Sequence, residues 1–376
     1  MKYRFDQIAI NSTVKKKPID ADKEHYIGLE HLDSDCLIVS RWGAEVTPIG
    51  EKLLMQKGDI LFGKRRAYQR KVGIAPFDGI FSAHGMVLRP KENVVIKEFF
   101  PFFIASDQFM ERAVRISVGG LSPTINWKDL KEQEFELPSL EEQRILSEKL
   151  WAAYRLKESC KRLLVATDEM VKSQFIEMFG NPLSSKQKNE LKKLGECCSI
   201  NPRRPNINLH DTDKVSFVPM SAVSENGHLV DMIDEEYGKV KKGFTYFENN
   251  DVLFAKITPC MENGKGAIAH GLTNGIGMGS TEFHVLRPID EISSPYWLLA
   301  LTQMPVFRER AAKNMSGTGG QKRVGASYLE HFMVGLPSIE EQRRFETIYK
   351  QADKSKFELR KSIDAIDKVI KSLINE

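Results

Sequence analysis

A chain of 376 residues exceeds one ordinary domain, and a prior of roughly 150 residues per domain implies two or three. Its 41% hydrophobic and 28% charged residues form a core-building balance that excludes global disorder. A net charge of +4 is too slight to argue for a polyanionic partner by itself, so any nucleic-acid surface has to be concentrated in patches.

The opening Met1-Lys2-Tyr3-Arg4-Phe5-Asp6 lacks the apolar stretch of a secretion signal, and no apolar run approaches the ~20 residues of a bilayer span. A cytoplasmic location is therefore expected. The five cysteines form no C-x-x-C pair and read as reduced packing residues. Asp59 to Phe62 predicts a strand. Directly after it, Lys64-Arg65-Arg66-Ala67-Tyr68-Gln69-Arg70-Lys71 sets five cations around one tyrosine. Such a run suits phosphate neutralisation, with a guanidinium or Gln69 reaching a base edge; a solvated hairpin tip is the bland alternative. Ser82-Ala83-His84-Gly85 then leads into Val87-Leu88-Arg89-Pro90, Glu98 to Arg115 predicts a helix, and Ser117 to Thr124 is a glycine-bearing turn.

Leu137-Pro138-Ser139-Leu140-Glu141-Glu142-Gln143-Arg144 has the capping-box order, serine followed three residues later by glutamate. Beyond it, Leu146, Leu150, Ala153, Cys160, Leu163, Met170 and Phe175 recur at helical spacing, so a helix of almost forty residues is expected. Gly180-Asn181-Pro182 is its stop signal.

The chain then repeats itself. Phe217-Val218-Pro219-Met220 resembles Tyr26-Ile27-Gly28-Leu29, and Asp251-Val252-Leu253-Phe254 returns the first predicted strand. Val285-Leu286-Arg287-Pro288 and Leu336-Pro337-Ser338-Ile339-Glu340-Glu341-Gln342-Arg343 follow in the same order. The second helix carries its stripe at Phe345, Tyr349, Ala352, Leu359, Ile363, Ile366, Ile370 and Leu373. Four matches in one order make a duplicated architecture, domain, helix, domain, helix. The expected fold is mixed α/β (α+β): globular domains at 1–138 and 181–337, and long helices at 139–180 and 338–376. Each helix is about 55 to 60 Å long at 1.5 Å per residue, and antiparallel pairing of the two as a coiled coil buries both stripes. That arrangement predicts a pseudo-twofold molecule with its globular domains at opposite ends, more than one B-DNA turn (~34 Å) apart.

In the second half, Lys256, Thr258, Glu262 and Lys265 lie on a polar, turn-rich segment after the matching strand. Ser280, Thr281 and Glu282 precede the next strand, and Glu282 suits a cytosine amino group. Ser316 to Arg323 is a glycine-rich loop in which Gly317, Thr318, Gly319, Gln321, Lys322 and Arg323 suit a phosphate, although a plain tight turn uses the same glycines. The loop lacks the order of a nucleotide P-loop. Asp251, Glu262 and Lys265 lack the spacing of a nuclease centre and have no counterpart pair in the first half. No catalytic residue, metal site or cofactor is assigned to the chain.

Two globular halves, each ending in Leu-Pro-Ser-x-Glu-Glu-Gln-Arg and a long helix, resemble the specificity subunit of type I restriction-modification enzymes. Leu253 to Lys265, continued by Gly279-Ser280-Thr281-Glu282-Phe283, is similar to a recurrent form of that family's recognition domain, and the first half departs further from it. The resemblance implies a non-catalytic reader of a split double-stranded DNA target, each domain addressing one part. It also implies two methyltransferase subunits carrying S-adenosylmethionine and ATP-dependent, magnesium-using motor-nuclease subunits as partners. A system with a fused methyltransferase-nuclease partner and a non-DNA coiled-coil adaptor are the alternative readings.

Overall fold

The computed structural model describes residues 1–34, 36–180, 189–318 and 320–375. It is mixed α and β, and the chain divides into two compact units. One comprises Met1–Arg162 with Arg360–Glu376, and the other comprises Leu163–Leu359. Each unit thus holds one globular half and a portion of both long helices, Leu140–Phe179 and Ile339–Asn375.

Within the first unit, Ala9–Ser12, Met86–Pro90, Ile60–Phe62 and Val72–Ile74 form one antiparallel sheet in that order. A second sheet runs Lys15–Lys16, Lys52–Met55, Gly79–Phe81, Tyr26–Ile27, with the last pair parallel. The second unit repeats the first sheet as Cys198–Ile200, Phe283–Pro288, Val252–Ala255 and Gly266–Ile268. Its other sheet runs Ile233–Glu236, Lys214–Val218, Ile276–Gly279, Thr245–Glu248, again with one parallel pair. Three strands of that sheet correspond between units; the fourth is added to opposite edges.

The repeated motifs prove to be the parts that clamp each unit. In the first, Arg89 forks onto Asp59 (2.7 and 2.9 Å), and Asp59 also accepts from the Gln56 amide. In the second, Arg287 forks onto Asp251 (2.8 and 2.8 Å), which accepts from the Glu248 amide. Such bidentate guanidinium–carboxylate pairs satisfy a buried charge and fix strand geometry together. Asp251 is therefore a strut of the sheet.

Both capping boxes form. Ser139 donates its backbone N–H to Glu142 (2.8 Å) and its hydroxyl accepts from the Glu142 amide (3.3 Å). Ser338 and Glu341 do the same at 3.2 and 3.3 Å. The following glutamine of each motif is fully buried. Gln143 accepts from the Ile96 amide and donates to the Val94 and Pro138 carbonyls; Gln342 accepts from Ser294 and donates to Ile292 and Pro337. One side chain thereby satisfies three backbone groups of the globular half and anchors it to its helix.

In the second unit, Phe175 and Phe179 stack edgewise on Phe345 while Asp168 reaches Lys356 (2.9 Å). Numbers rise on one helix as they fall on the other, so the helices are antiparallel. In the first unit Lys157 pairs with Asp367, and Lys157 and Lys356 hold equivalent places after their capping serines. Both lysines are buried.

Two expectations need correction. Leu163 and Met170 face outward, at 53% and 41% exposed, because the buried stripe passes through Leu150, Tyr154, Lys157, Cys160 and Val171 instead. The segment from Glu98 to Arg115 is two helices, Phe100–Ala105 and Asp107–Arg115, because Ser106 adopts extended angles and caps the second by accepting from the Phe109 amide. The first long helix ends at Phe179 and Gly180 takes φ +72°; Asn181 and Pro182 lie outside the described residues.

Candidate nucleic-acid interface

Three segments far apart in sequence meet beside the exit of the central strand of each unit. In the second unit, the Lys256 amide donates to the Glu282 carbonyl (2.9 Å), the Val324 amide to the Lys256 carbonyl (2.9 Å), and the Thr258 amide to the Lys322 carbonyl (3.0 Å). Ile257 bridges Arg323, and Ser316 bridges Arg323 to close the glycine loop. The candidate residues of 256–265, 280–282 and 317–323 are thus brought to one place. Gly319 lies outside the described residues.

The first unit builds the same junction. The Arg65 amide donates to the His84 carbonyl (3.3 Å), the Ile125 amide to the Lys64 carbonyl (3.0 Å), and the Arg66 amide to the Pro123 carbonyl (2.7 Å). Arg65 bridges Thr124, as Ile257 bridges Arg323, and Val118 bridges Thr124. Arg66 and Arg70 both adopt left-handed backbone angles (φ 57° and 52°), which turn the cationic run sharply around the Ala67–Gln69 3-10 turn.

The side chains divide into those that face solvent and those held inward. Arg65, Arg66, Tyr68, Glu262, Thr281, Gly317, Thr318, Gln321 and Lys322 are exposed. Arg66 bonds Ser122 (3.3 Å), and Gln69 and Ser280 are half-buried. Arg70 turns back to Asp107 (3.0 Å) and the Ala105 carbonyl (2.7 Å). Lys265 donates to the Met220 carbonyl (3.3 Å), and the Thr258 hydroxyl donates to Glu262 (3.0 Å). Arg323 forks onto Glu282, at 2.9 Å from Nε and 2.8 Å from Nη2. That hydrogen bond is the main cause holding the Glu282 carboxyl below the usual carboxylate range. Arg70 therefore shapes the first junction and Lys265 and Arg323 the second, while Arg65 and Arg66 in the first and Lys322 in the second are cations presented to solvent.

Sequence reasoning missed Lys15 and Lys52, which approach Lys64 from the neighbouring sheet. The run Lys15-Lys16-Lys17 was visible, but nothing in its spacing tied it to Lys64.

A family model described as the type I restriction modification DNA specificity domain matches residues 11–163 and again 186–366. Among curated proteins, the chain is similar to the EcoAI and EcoEI type I restriction enzyme specificity subunits of Escherichia coli. Each is 35% identical over 189 residues, which is 48% of this chain and 31% of the relative. The EcoDI specificity subunit of the same organism is 26% identical over 193 residues, 50% of this chain and 43% of the relative. The alignments thus span less than half the length of each curated relative. Two solved structures share the fold across all of this chain. One, from work on complex assembly and conformational transition of the type I R-M system, has a TM-score of 0.57 at 16% identity and is covered to 96%. The other, a type I restriction-modification S subunit from M. genitalium, has a TM-score of 0.56 at 14% identity and is covered to 94%. With most of its length matched in two successive stretches, the chain belongs to the type I restriction-modification DNA specificity family.

Proposed function

We propose that this chain is the sequence-reading subunit of a type I restriction-modification complex, each half addressing one part of a split duplex target. The observation that carries this reading is the three-segment junction, built twice from different residues on one backbone plan. Backbone bonds between the segments preorganise their tips, so little ordering cost accompanies binding. Exposed Arg65, Arg66 and Lys322 supply the sequence-independent attraction to phosphates, while Gln69, Thr281, Thr318 and Gln321 suit base edges. The chain itself performs no bond-making step on this reading. Two methyltransferase subunits carrying S-adenosylmethionine modify adenines, and ATP- and magnesium-dependent motor-nuclease subunits cut unmodified DNA, all in the cytoplasm.

Selection from a random duplex library by the chain assembled with its methyltransferase partner tests this. A recovered motif of two short specified parts around a fixed spacer is the expected outcome. Recovery of no motif, or of one continuous motif, overturns the proposal.

A further inference from the structure

The two junctions differ in where their negative charge resides. In the second unit the cations Lys256 and Arg323 have Glu282 among them, and its carboxyl is held down first by Arg323 and further by Lys256. In the first unit Lys64 stands in the place of Lys256 and Thr124 in that of Arg323, while the segment matching Glu282 offers Ala83 and His84. There a cavity of about 230 Å³ opens, lined by Lys15, Lys52 and Lys64, with Asn11, Ala83 and Asn126 around them and no carboxylate in the lining. Lys15 meets Glu51 (3.3 Å) with both side chains more than half exposed, and Lys52 caps the Ile49 and Gly50 carbonyls. Lys64 is half-buried, and its ammonium has no acceptor among the described residues. Burial, and then the nearby Lys15 charge, push its pKa down. Three lysines whose one carboxylate partner among the described residues is the exposed Glu51 on Lys15, beside the side-chain amides of Asn11 and Asn126, form a site for an oxyanion.

We propose that this cavity seats a phosphate group of the bound duplex, the first half taking from its ligand the negative charge that the second half builds in as Glu282. The assignment rests on the DNA-reading function, and it adds Lys15 and Lys52 to the contacting residues. A backbone phosphodiester and free inorganic phosphate present the same chemistry, and the experiment separates them.

Acylation of Lys64 by an N-hydroxysuccinimide ester, read by mass spectrometry, reports access to the cavity. In the complex with the methyltransferase partner, the selected duplex is expected to slow it severalfold, and inorganic phosphate at equal ionic strength to slow it little. Protection by inorganic phosphate but not by duplex overturns the backbone assignment, and protection by neither overturns the site. Salt titration supplies the second readout. Lys64→Gln is expected to lower the slope of log affinity against log salt by about one unit without altering the selected motif. Ala83→Glu, which installs a counter-charge at an exposed position, should do the same, whereas Ala83→Gln should not. Equal slopes for Ala83→Glu and Ala83→Gln sink the proposal even where the library still yields a split motif. A library that yields none strikes the functional reading instead, and protection of Lys64 by a random-sequence duplex still decides whether the cavity seats a backbone phosphate.

Discussion

The second unit's junction carries a built-in counter-charge, with Glu282 forked by Arg323 at its centre, whereas the first gathers Lys15, Lys52, Lys64, Arg65 and Arg66 and answers only part of that charge internally. Yet the backbone bonds that assemble the two are nearly the same. The difference teaches that strand order and segment docking are set by the shared scaffold. The loop side chains are then free to diverge in charge without dismantling it. The scaffold also differs in depth between the units. Asp251 is 1% exposed and Asp59 is 6%, but Arg287 is more covered than Arg89 (27% against 36% side-chain exposure).

That contrast is most severely tested by removing each arginine. Arg287→Met leaves a deeply buried carboxylate unpaired and should cost about 3–5 kcal/mol. Arg89→Met should cost less, about 1.5–3 kcal/mol, since its partner's surroundings are more open to water. Urea unfolding followed by peptide-level hydrogen exchange in each unit measures both, and equal losses would show that the clamps do not differ. The next test looks for sameness. Gln143→Met and Gln342→Met each strand buried backbone groups, at about 2–3 kcal/mol apiece, and the two values should agree within error. A marked disagreement would mean that the repeated anchor works differently in the two units.

A smaller effect is expected at the exposed tip of the second junction. Lys322→Ala should reduce the salt slope of DNA binding by about one unit with the selected motif unchanged, and an unchanged slope would remove Lys322 from the contacts. The smallest concerns pH. The Glu282 carboxyl is held below its ordinary range, so its tether to Arg323 is present above the unfolded-state value near 4.3 and is lost as pH falls through the lower folded value. Amide exchange of residues 316–323, corrected for intrinsic rates, should therefore stay level from pH 8 to 5 and rise only in stronger acid. The first unit's Ser117–Thr124 turn has no such carboxylate and should show no step.

Much of this organisation was legible in the amino-acid order. The capping boxes announce the helix starts because Ser139, Glu142, Ser338 and Glu341 act through neighbours three residues away. The strand after Asp59 and its repeat after Asp251 were readable from short apolar runs. What was not readable depends on contacts between remote positions. Lys157 and Lys356 look like surface residues, yet each lies buried in the helix seam against an aspartate on the other helix. Counting apolar residues alone therefore drew the stripe through Leu163 and Met170. Likewise Arg323 reads as a free cation until Glu282 is placed beside it, and Lys64 gives no sign in sequence that Lys15 and Lys52 converge on it.

One pairing has a consequence for how such a chain changes over generations. Lys2–Arg4 pairs with Glu134–Glu136, and the Met1 ammonium donates to the Leu137 carbonyl (2.7 Å). Glu190–Lys193 pairs in the same way with Met333–Leu336. The polypeptide therefore enters and leaves each globular half at adjacent points, as a plug enters a socket. A segment inherited by recombination between those points meets the same two backbone positions whatever its interior does, provided it keeps the glutamine anchor. Each half can thus be replaced as one piece without moving the two points at which the backbone enters and leaves it.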